Sequence, residues 1–262
     1  MNPVVFLHGL WIHSDSWQPW RELFAGRGHE TFAPGWPGDR ETVAATRADP
    51  TGLNGVGVED ITDAYAKVLA AMDRPPILIG HSFGGLIVQK LLSRGLGAAG
   101  VAISPAPVKG VRAVPFSLLR SAFPVLSRPG NKHRTVALTE KQFAYSFGNT
   151  LTADESAELH RRVTIPGPGR PLFEVSTAAF TRDAASTVDT ARADRGPLLM
   201  IANGRDHTVP EVVVRGAHRL YAGSRARTDL VTFPDRGHSA PLDHGWRELA
   251  DTTLSWIGAH TA

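Results

Sequence analysis

The 262-residue sequence contains no cysteine, and this gap removes several chemistries at once. Disulfide frameworks, thiolate nucleophiles and cysteine-ligated metals are excluded. Long apolar runs are also missing. The longest weakly apolar stretch, Gly95 to Val108, is too short and too rich in glycine, alanine and proline to cross a bilayer, which takes roughly 20 helical residues. No Asn-x-Ser/Thr sequon occurs, and the chain enters an apolar strand at Pro3-Val4-Val5-Phe6-Leu7 without a charged or cleavable segment before it. A cytoplasmic protein with no membrane span is the expectation. Clustered charge is lacking too: the formal net charge is only +3 and the arginines are scattered singly, so no nucleic-acid partner is expected. The eleven histidines show no His-Glu-x-x-His or comparable spacing, and neither a catalytic metal nor a cofactor is expected.

What remains is an ordinary globular composition, 42% hydrophobic and 20% charged, in a chain long enough for one large α/β core with an insertion. Short apolar or β-branched runs predict strands at Val4–Leu7, Glu30–Ala33, Ile77–Gly80, Gly100–Ser104, Leu198–Asn203 and Asp229–Phe233. Helical patterns lie between them. Val58, Ile61, Tyr65, Val68, Leu69 and Met72 share one face, as do Trp246, Leu249, Ala250, Thr253, Leu254 and Ile257. Near-continuous apolar strands alternating with amphipathic helices predict a mostly parallel sheet of about six strands, covered by helices on both faces.

The alternation breaks between about Val108 and Arg195. That stretch holds six prolines, no convincing buried strand and two capping-box patterns, Thr139-Glu140-Lys141-Gln142 and Thr152-Ala153-Asp154-Glu155. It reads as a helical insertion over 108–195, a cap above a core made of 1–107 and 196–262. The six residues Gly95-Leu96-Gly97-Ala98-Ala99-Gly100 match a dinucleotide-binding fingerprint, but they follow a helix and precede a strand. That order is the reverse of what the motif needs, so a helix C-cap and turn is expected.

The most informative residues are Gly80-His81-Ser82-Phe83-Gly84-Gly85, placed after a strand and before a helix. A serine in a strained strand-to-helix turn exposes its hydroxyl, and glycines on both sides allow the close backbone approach. The new helix supplies free N–H groups and a positive dipole end where an oxyanion would develop. A nucleophilic serine needs a base and an orienting acid. Asp206 follows the Leu198–Asn203 strand, and His238 follows the Asp229–Phe233 strand, so Ser82, Asp206 and His238 each fall just past a strand end. Asp206 could instead cap the helix that begins near Pro210. Asp235 is a rival acid, although its place three residues before His238 suits a turn former. The loop after Gly100–Ser104 reads Pro105-Ala106-Pro107 and offers no carboxylate. For the oxyanion hole, the Phe83 N–H and one from the loop His8-Gly9-Leu10-Trp11 are the candidates, Leu10 first and Trp11 next. Trp17 and Trp20 read as core. Trp11, Trp36, Phe143 and Phe147 are the candidate substrate-contacting aromatics.

Taken together, Val4-Val5-Phe6-Leu7-His8-Gly9, Ala33-Pro34-Gly35-Trp36-Pro37-Gly38, the turn around Ser82, Gly204-Arg205-Asp206 with Val209-Pro210, and Gly237-His238 resemble the α/β-hydrolase fold superfamily, in its small, lidded, esterase-like branch. Members usually begin with an antiparallel hairpin that this sequence lacks, hence the truncated sheet. The resemblance implies hydrolysis of a carboxylic ester or lactone of a small to medium hydrophobic substrate through an acyl-enzyme on Ser82. Two other readings stay open: a cofactor-free dioxygenase or C–C bond hydrolase with the His238–Asp206 pair as base, and a non-catalytic ligand receptor on the same scaffold. The oligomeric state is left open.

Overall fold

The computed structural model describes residues 1–261. Its strands, in chain order, are β1 (Val4–Leu7), β2 (Thr31–Phe32), β3 (Ile77–His81), β4 (Ala99–Ile103), β5 (Thr135–Val136), β6 (Gly167–Pro168), β7 (Leu198–Asn203) and β8 (Thr228–Phe233). The helices are α1 (Gln18–Ala25), α2 (Val43–Ala48), α3 (Val58–Ala70), α4 (Phe83–Ser93), α5 (Phe116–Leu126), α6 (Glu140–Ser146), α7 (Ala153–Val163), α8 (Arg170–Ser176), α9 (Glu211–Leu220) and α10 (Trp246–His260). Six strands form a wholly parallel sheet ordered β2-β1-β3-β4-β7-β8.

Every residue of β1, β3, β4 and β7 is buried, as strands covered on both sides require. Successive side chains point to opposite faces, so each strand feeds two cores. Val4, Phe6, Ile77, Ile79, Val101 and Ile201 pack with Trp17, Trp20 and Phe24 at α1 and with Leu249 and Ile257 of α10. Val5, Leu7, Leu78, Ala102 and Met200 pack with Ile61 and Tyr65 of α3, Leu86 and Leu91 of α4, and Val213 and Val214 of α9. Trp17 and Trp20 are core residues, as the sequence implies, and both rest on Phe6.

Several boundaries differ from expectation. The second strand shrinks to Thr31–Phe32 because it is an edge, paired with β1 at two positions only, and Pro34 beyond it has no N–H to continue a ladder. Strand β4 stops at Ile103 because Ser104 takes φ +40° and turns away. The segment joining β4 to β7 does contain strand structure, the two-residue antiparallel pair β5–β6, which is too short to leave a periodic signal. Of the two capping boxes, the one at Thr139 forms completely with Gln142. At α7 only Thr152 caps; the Glu155 carboxylate turns instead to the backbone N–H and Nδ1 of His244. The Gly95–Gly100 motif is a helix C-cap: Leu96 N–H donates to Leu91 O and Gly95 N–H to Leu92 O, with Gly95 at φ +79°.

The sheet order reverses direction between β1 and β3. Ligands of open parallel sheets bind at such a switch point, outside the carboxyl ends of the strands. Ser82 and the His8–Trp11 loop emerge there, side by side. Among the described residues, no helix is long and apolar enough to cross a membrane.

Candidate active site

Ser82 sits between β3 and α4 at φ +55°, ψ −119°, a conformation that costs a non-glycine residue about 1–3 kcal/mol and persists only when its surroundings enforce it. They do. Ser82 N–H donates to Ile103 O, and Ser82 O accepts from Gly85, Leu86 and Ala106 N–H. The flanking glycines leave no room for a side chain. A Cβ on Gly80 would lie 2.2 Å from Gly84 O, and one on Gly84 would lie 2.1 Å from Leu7 O. The β1 loop presses equally close, since a Cβ on Gly9 would meet Ser82 Cβ at 2.9 Å. This packing brings the Leu10 and Phe83 backbone N–H groups to the same strand ends as the Ser82 hydroxyl. Phe83 opens α4, so its N–H has no acceptor within the helix.

The register of β7 on β8 brings the other two candidates together. Asn203 pairs with Phe233, after which Gly204 N–H donates to Phe233 O and Arg205 N–H to Arg236 O. Zipped this way, the two loops place His238 Nδ1 at 2.6 Å from Asp206 Oδ2, with both side chains fully buried. The other carboxylate oxygen, Oδ1, accepts from Thr208 N–H at 2.8 Å and Val209 N–H at 2.7 Å. Asp206 therefore does two jobs that the sequence poses as alternatives: it holds the imidazole, and it closes the turn leading to α9. With the Nδ1 proton directed at a carboxylate, Nε2 is left as the acceptor. His238 Nε2 is buried and has no hydrogen-bond partner among the described residues. The rival Asp235 is exposed and pairs with Arg205 at 3.1 Å.

A cavity of about 230 Å³ opens over Ser82. Leu10, Trp11 and Phe83 line it beside Ser82; Val108, Leu118, Ala122, Leu172 and Val175 make most of its wall, with Lys109, Ser121, Ser176 and Thr208 as polar exceptions. Trp11 is a lining residue, at φ +67°, with its indole N–H donated to Val136 O across to β5. Of the candidate substrate-contacting aromatics, Trp36, Phe143 and Phe147 do not line this cavity. Trp36 stacks on His8 at 4.9 Å, Phe143 stacks on Phe147 at 5.0 Å, and Phe147 sets its edge against the His238 ring at 4.7 Å. They buttress the loops around the cavity. The wall comes from aliphatic residues of α5 and α8.

Two further buried groups, His8 and His81, join the site from the two sequence motifs that flank it. His8 Nε2 lies 3.1 Å from Asp39 Oδ2, which also accepts the Trp36 N–H, so one carboxylate ties the β1 loop to the turn after β2. For Asp39, the Gly38-Asp39 turn is the only local signal. His81, beside the candidate nucleophile, tilts against His238 at 4.5 Å between ring centres. Burial, and then the nearby His238, push its imidazole well below the usual histidine range, so it stays neutral. Below about pH 6.5 the unfolded chain takes up a proton that the folded chain refuses, so stability falls as pH falls. His81→Asn should remove up to about 1.4 kcal/mol per pH unit of that acid slope. Urea denaturation of both proteins between about pH 5 and pH 7 measures it, and parallel slopes would show that His81 protonates freely in the fold.

No curated protein matches the sequence. Among solved structures, the chain is similar to an extracellular α/β-hydrolase from a Paenibacillus species (TM-score 0.70, 18% identity, 97% of this chain and 98% of that one). It is also similar to a pyrethroid hydrolase from Sphingobium faniae JZ-2 (TM-score 0.64, 18% identity, 98% of each chain). An Arabidopsis methylesterase gives TM-score 0.68 at 14% identity, over 98% of this chain and 99% of that one. At such identities the likeness is one of fold. The sequence model of the alpha/beta hydrolase family matches residues 4–252, and the chain belongs to that family.

Proposed function

We propose that the protein is a serine hydrolase of small to medium hydrophobic carboxylic esters or lactones, acting through an acyl-enzyme on Ser82. One observation carries this reading: a strained, buried serine lining an apolar cavity, together with a buried histidine whose Nδ1 faces a carboxylate and whose Nε2 has no hydrogen-bond partner among the described residues. Ser82 Oγ attacks the carbonyl carbon while His238 Nε2 takes its proton. The oxyanion receives the Leu10 and Phe83 N–H groups, and the imidazolium formed is stabilised by Asp206. His238 then returns the proton to the leaving alkoxide, and water repeats the sequence to free the acid. The esterase neighbours agree with this chemistry. A fluorophosphonate probe should label the protein once, at Ser82, as read by peptide mass spectrometry; labelling elsewhere, or none, would sink the acyl-enzyme mechanism.

Residues 108–195 are proposed as the cap that sets substrate size. Its helices α5 and α8 supply mostly apolar wall, Ser121 and Ser176 apart, so each methylene buried there contributes about 0.8 kcal/mol, or roughly fourfold in kcat/KM, until the cavity is full. Ala122→Phe should move the optimum of a p-nitrophenyl ester series to shorter acyl chains while fluorophosphonate labelling persists. An unmoved optimum would place selectivity outside the cap.

A second reading has its own observation. His238 Nε2 forms no hydrogen bond with Ser82 Oγ, and a base-only reaction needs none: the His238–Asp206 pair would deprotonate a substrate that Ser82 merely orients. Hydrogen bonds of this kind are often long before substrate binds, so the ester hydrolase is favoured.

A further inference from the structure

The cavity mouth carries an apolar surface that the proposed hydrolysis does not use. Phe116 and Phe123 of α5 are 77% and 66% exposed, and Phe180, beyond α8, is 94% exposed. Three large aromatic side chains standing in water beside one cavity are unusual unless something covers them. Their placement relates them to the cavity. Val114 and Leu119 are exposed and also line it, and Leu119 shares one face of α5 with Phe116 and Phe123 by the helical repeat. Phe180 follows Ala178 and Ala179, which line the cavity from the segment after α8.

Charge around these residues is mostly positive. From residue 74 to residue 139 the sequence contains no aspartate or glutamate. Within that run Arg112, Arg120, Arg128 and Lys132 are exposed, and among the described residues none of them is in an ion pair. Arg120 lies on the same α5 face as the phenylalanines and stacks over Tyr145 at 3.9 Å. Asp183 is the one carboxylate between residues 175 and 188, near Phe180, and Arg182 precedes it.

We propose that this rim, Phe116, Leu119, Phe123 and Phe180 set among Arg112, Arg120 and Arg128, docks the cavity mouth onto an anionic lipid surface. Exposed aromatics ringed by unpaired cations match a bilayer interface, where rings enter the acyl boundary and guanidinium groups stay with the phosphates. A second copy of the chain fits less well. A two-fold interface sets the same patch against itself, and would face these cations with one another. Docking also has a geometric consequence: the apolar path from Leu119 to Ser82 opens directly onto the lipid, so an apolar ester can enter without crossing water. The docking surface does not depend on the chemistry at Ser82.

The test is co-sedimentation with vesicles of mixed phosphatidylglycerol and phosphatidylcholine, against vesicles of phosphatidylcholine alone. The native chain should pellet with the anionic vesicles, and high salt should release it. The triple variant Phe116→Ser, Phe123→Ser, Phe180→Ser should weaken partitioning by about tenfold or more. Arg112→Gln and Arg128→Gln should each weaken it by roughly fivefold. Ser82→Ala should bind like the native chain, and the triple phenylalanine variant should keep its turnover of a water-soluble p-nitrophenyl ester, which separates docking from catalysis. Three outcomes overturn the proposal: a native chain that stays in the supernatant, a triple variant that pellets undiminished, or a dimer in sedimentation velocity that the phenylalanine substitutions dissolve. The last would assign the patch to self-association.

Discussion

Ser82→Ala should lower ester turnover by about 10⁶-fold and Asp206→Asn by about 10⁴-fold, while Asp235→Asn should stay within about twofold of the native rate. The first loss is that of the attacking atom. The second follows from how Asp206 is held. Its Oδ1 already accepts two backbone N–H groups, from Thr208 and Val209. An asparagine keeps those bonds only by placing its carbonyl oxygen there, which turns its NH₂ toward His238 Nδ1. A donor facing Nδ1 forces the imidazole proton onto Nε2, the atom that must accept from Ser82. The fold survives and the base is lost. Asp235 is exposed and pairs with Arg205 on the surface, so its removal disturbs neither atom. Steady-state kinetics on one p-nitrophenyl ester, with circular dichroism to confirm folding, reads all three. A steep loss in Asp235→Asn with a mild one in Asp206→Asn would transfer the acid to the histidine loop.

The residues of the candidate site that the sequence exposes share one property: each is announced by its immediate neighbours. Ser82 has glycines and a strand-to-helix switch around it, and Asp206 and His238 follow apolar strands. Chain-local grammar of this kind reports which residues reach the carboxyl edge of the sheet. The sheet itself is legible for the same reason, since β1, β3, β4 and β7 are buried and mostly apolar along their length, whereas the edge β2 has too little buried surface to define its ends. The cavity wall is not legible. Which face of a cap helix meets Ser82 is decided by packing between segments far apart in sequence. Phe143 and Phe147, expected at the substrate, stack on one another and support Trp11 and His238 instead. Helix α5 carries apolar residues on more than one side, Ala122 and Val125 inward and Phe116 and Phe123 outward. That all-round apolarity is the available signal that α5 has two surfaces to cover. The His8–Asp39 pair joins residues with no pattern linking them, and only the fold brings them together.

The closest backbone contact in the site gives the other large expected effect. Gly84→Ala would put a methyl group 2.1 Å from Leu7 O and 2.7 Å from His8 O, both main-chain atoms at the end of β1. A flexible side chain could swing aside, but these carbonyls belong to the end of a strand paired with β3. The contact is relieved only if α4 and the β1 loop separate by about 1 Å, and overpacking of this kind typically costs about 1–3 kcal/mol. Those two segments carry Phe83 and Leu10. Separating them widens the pair of N–H groups proposed to receive the oxyanion, and a displacement of about 1 Å can cost about 10²-fold in turnover. Gly84→Ala should therefore lose both stability, as a lower urea midpoint, and kcat. Gly258→Ala supplies the control. Gly258 lies in α10, and a methyl group added there would meet nothing within 4 Å among the described residues, so the same substitution should stabilise by about 0.4–1 kcal/mol and leave kcat unchanged. Equal behaviour of the two variants would mean that the approach of α4 to β1 sets neither the stability of the turn nor the geometry of its donors.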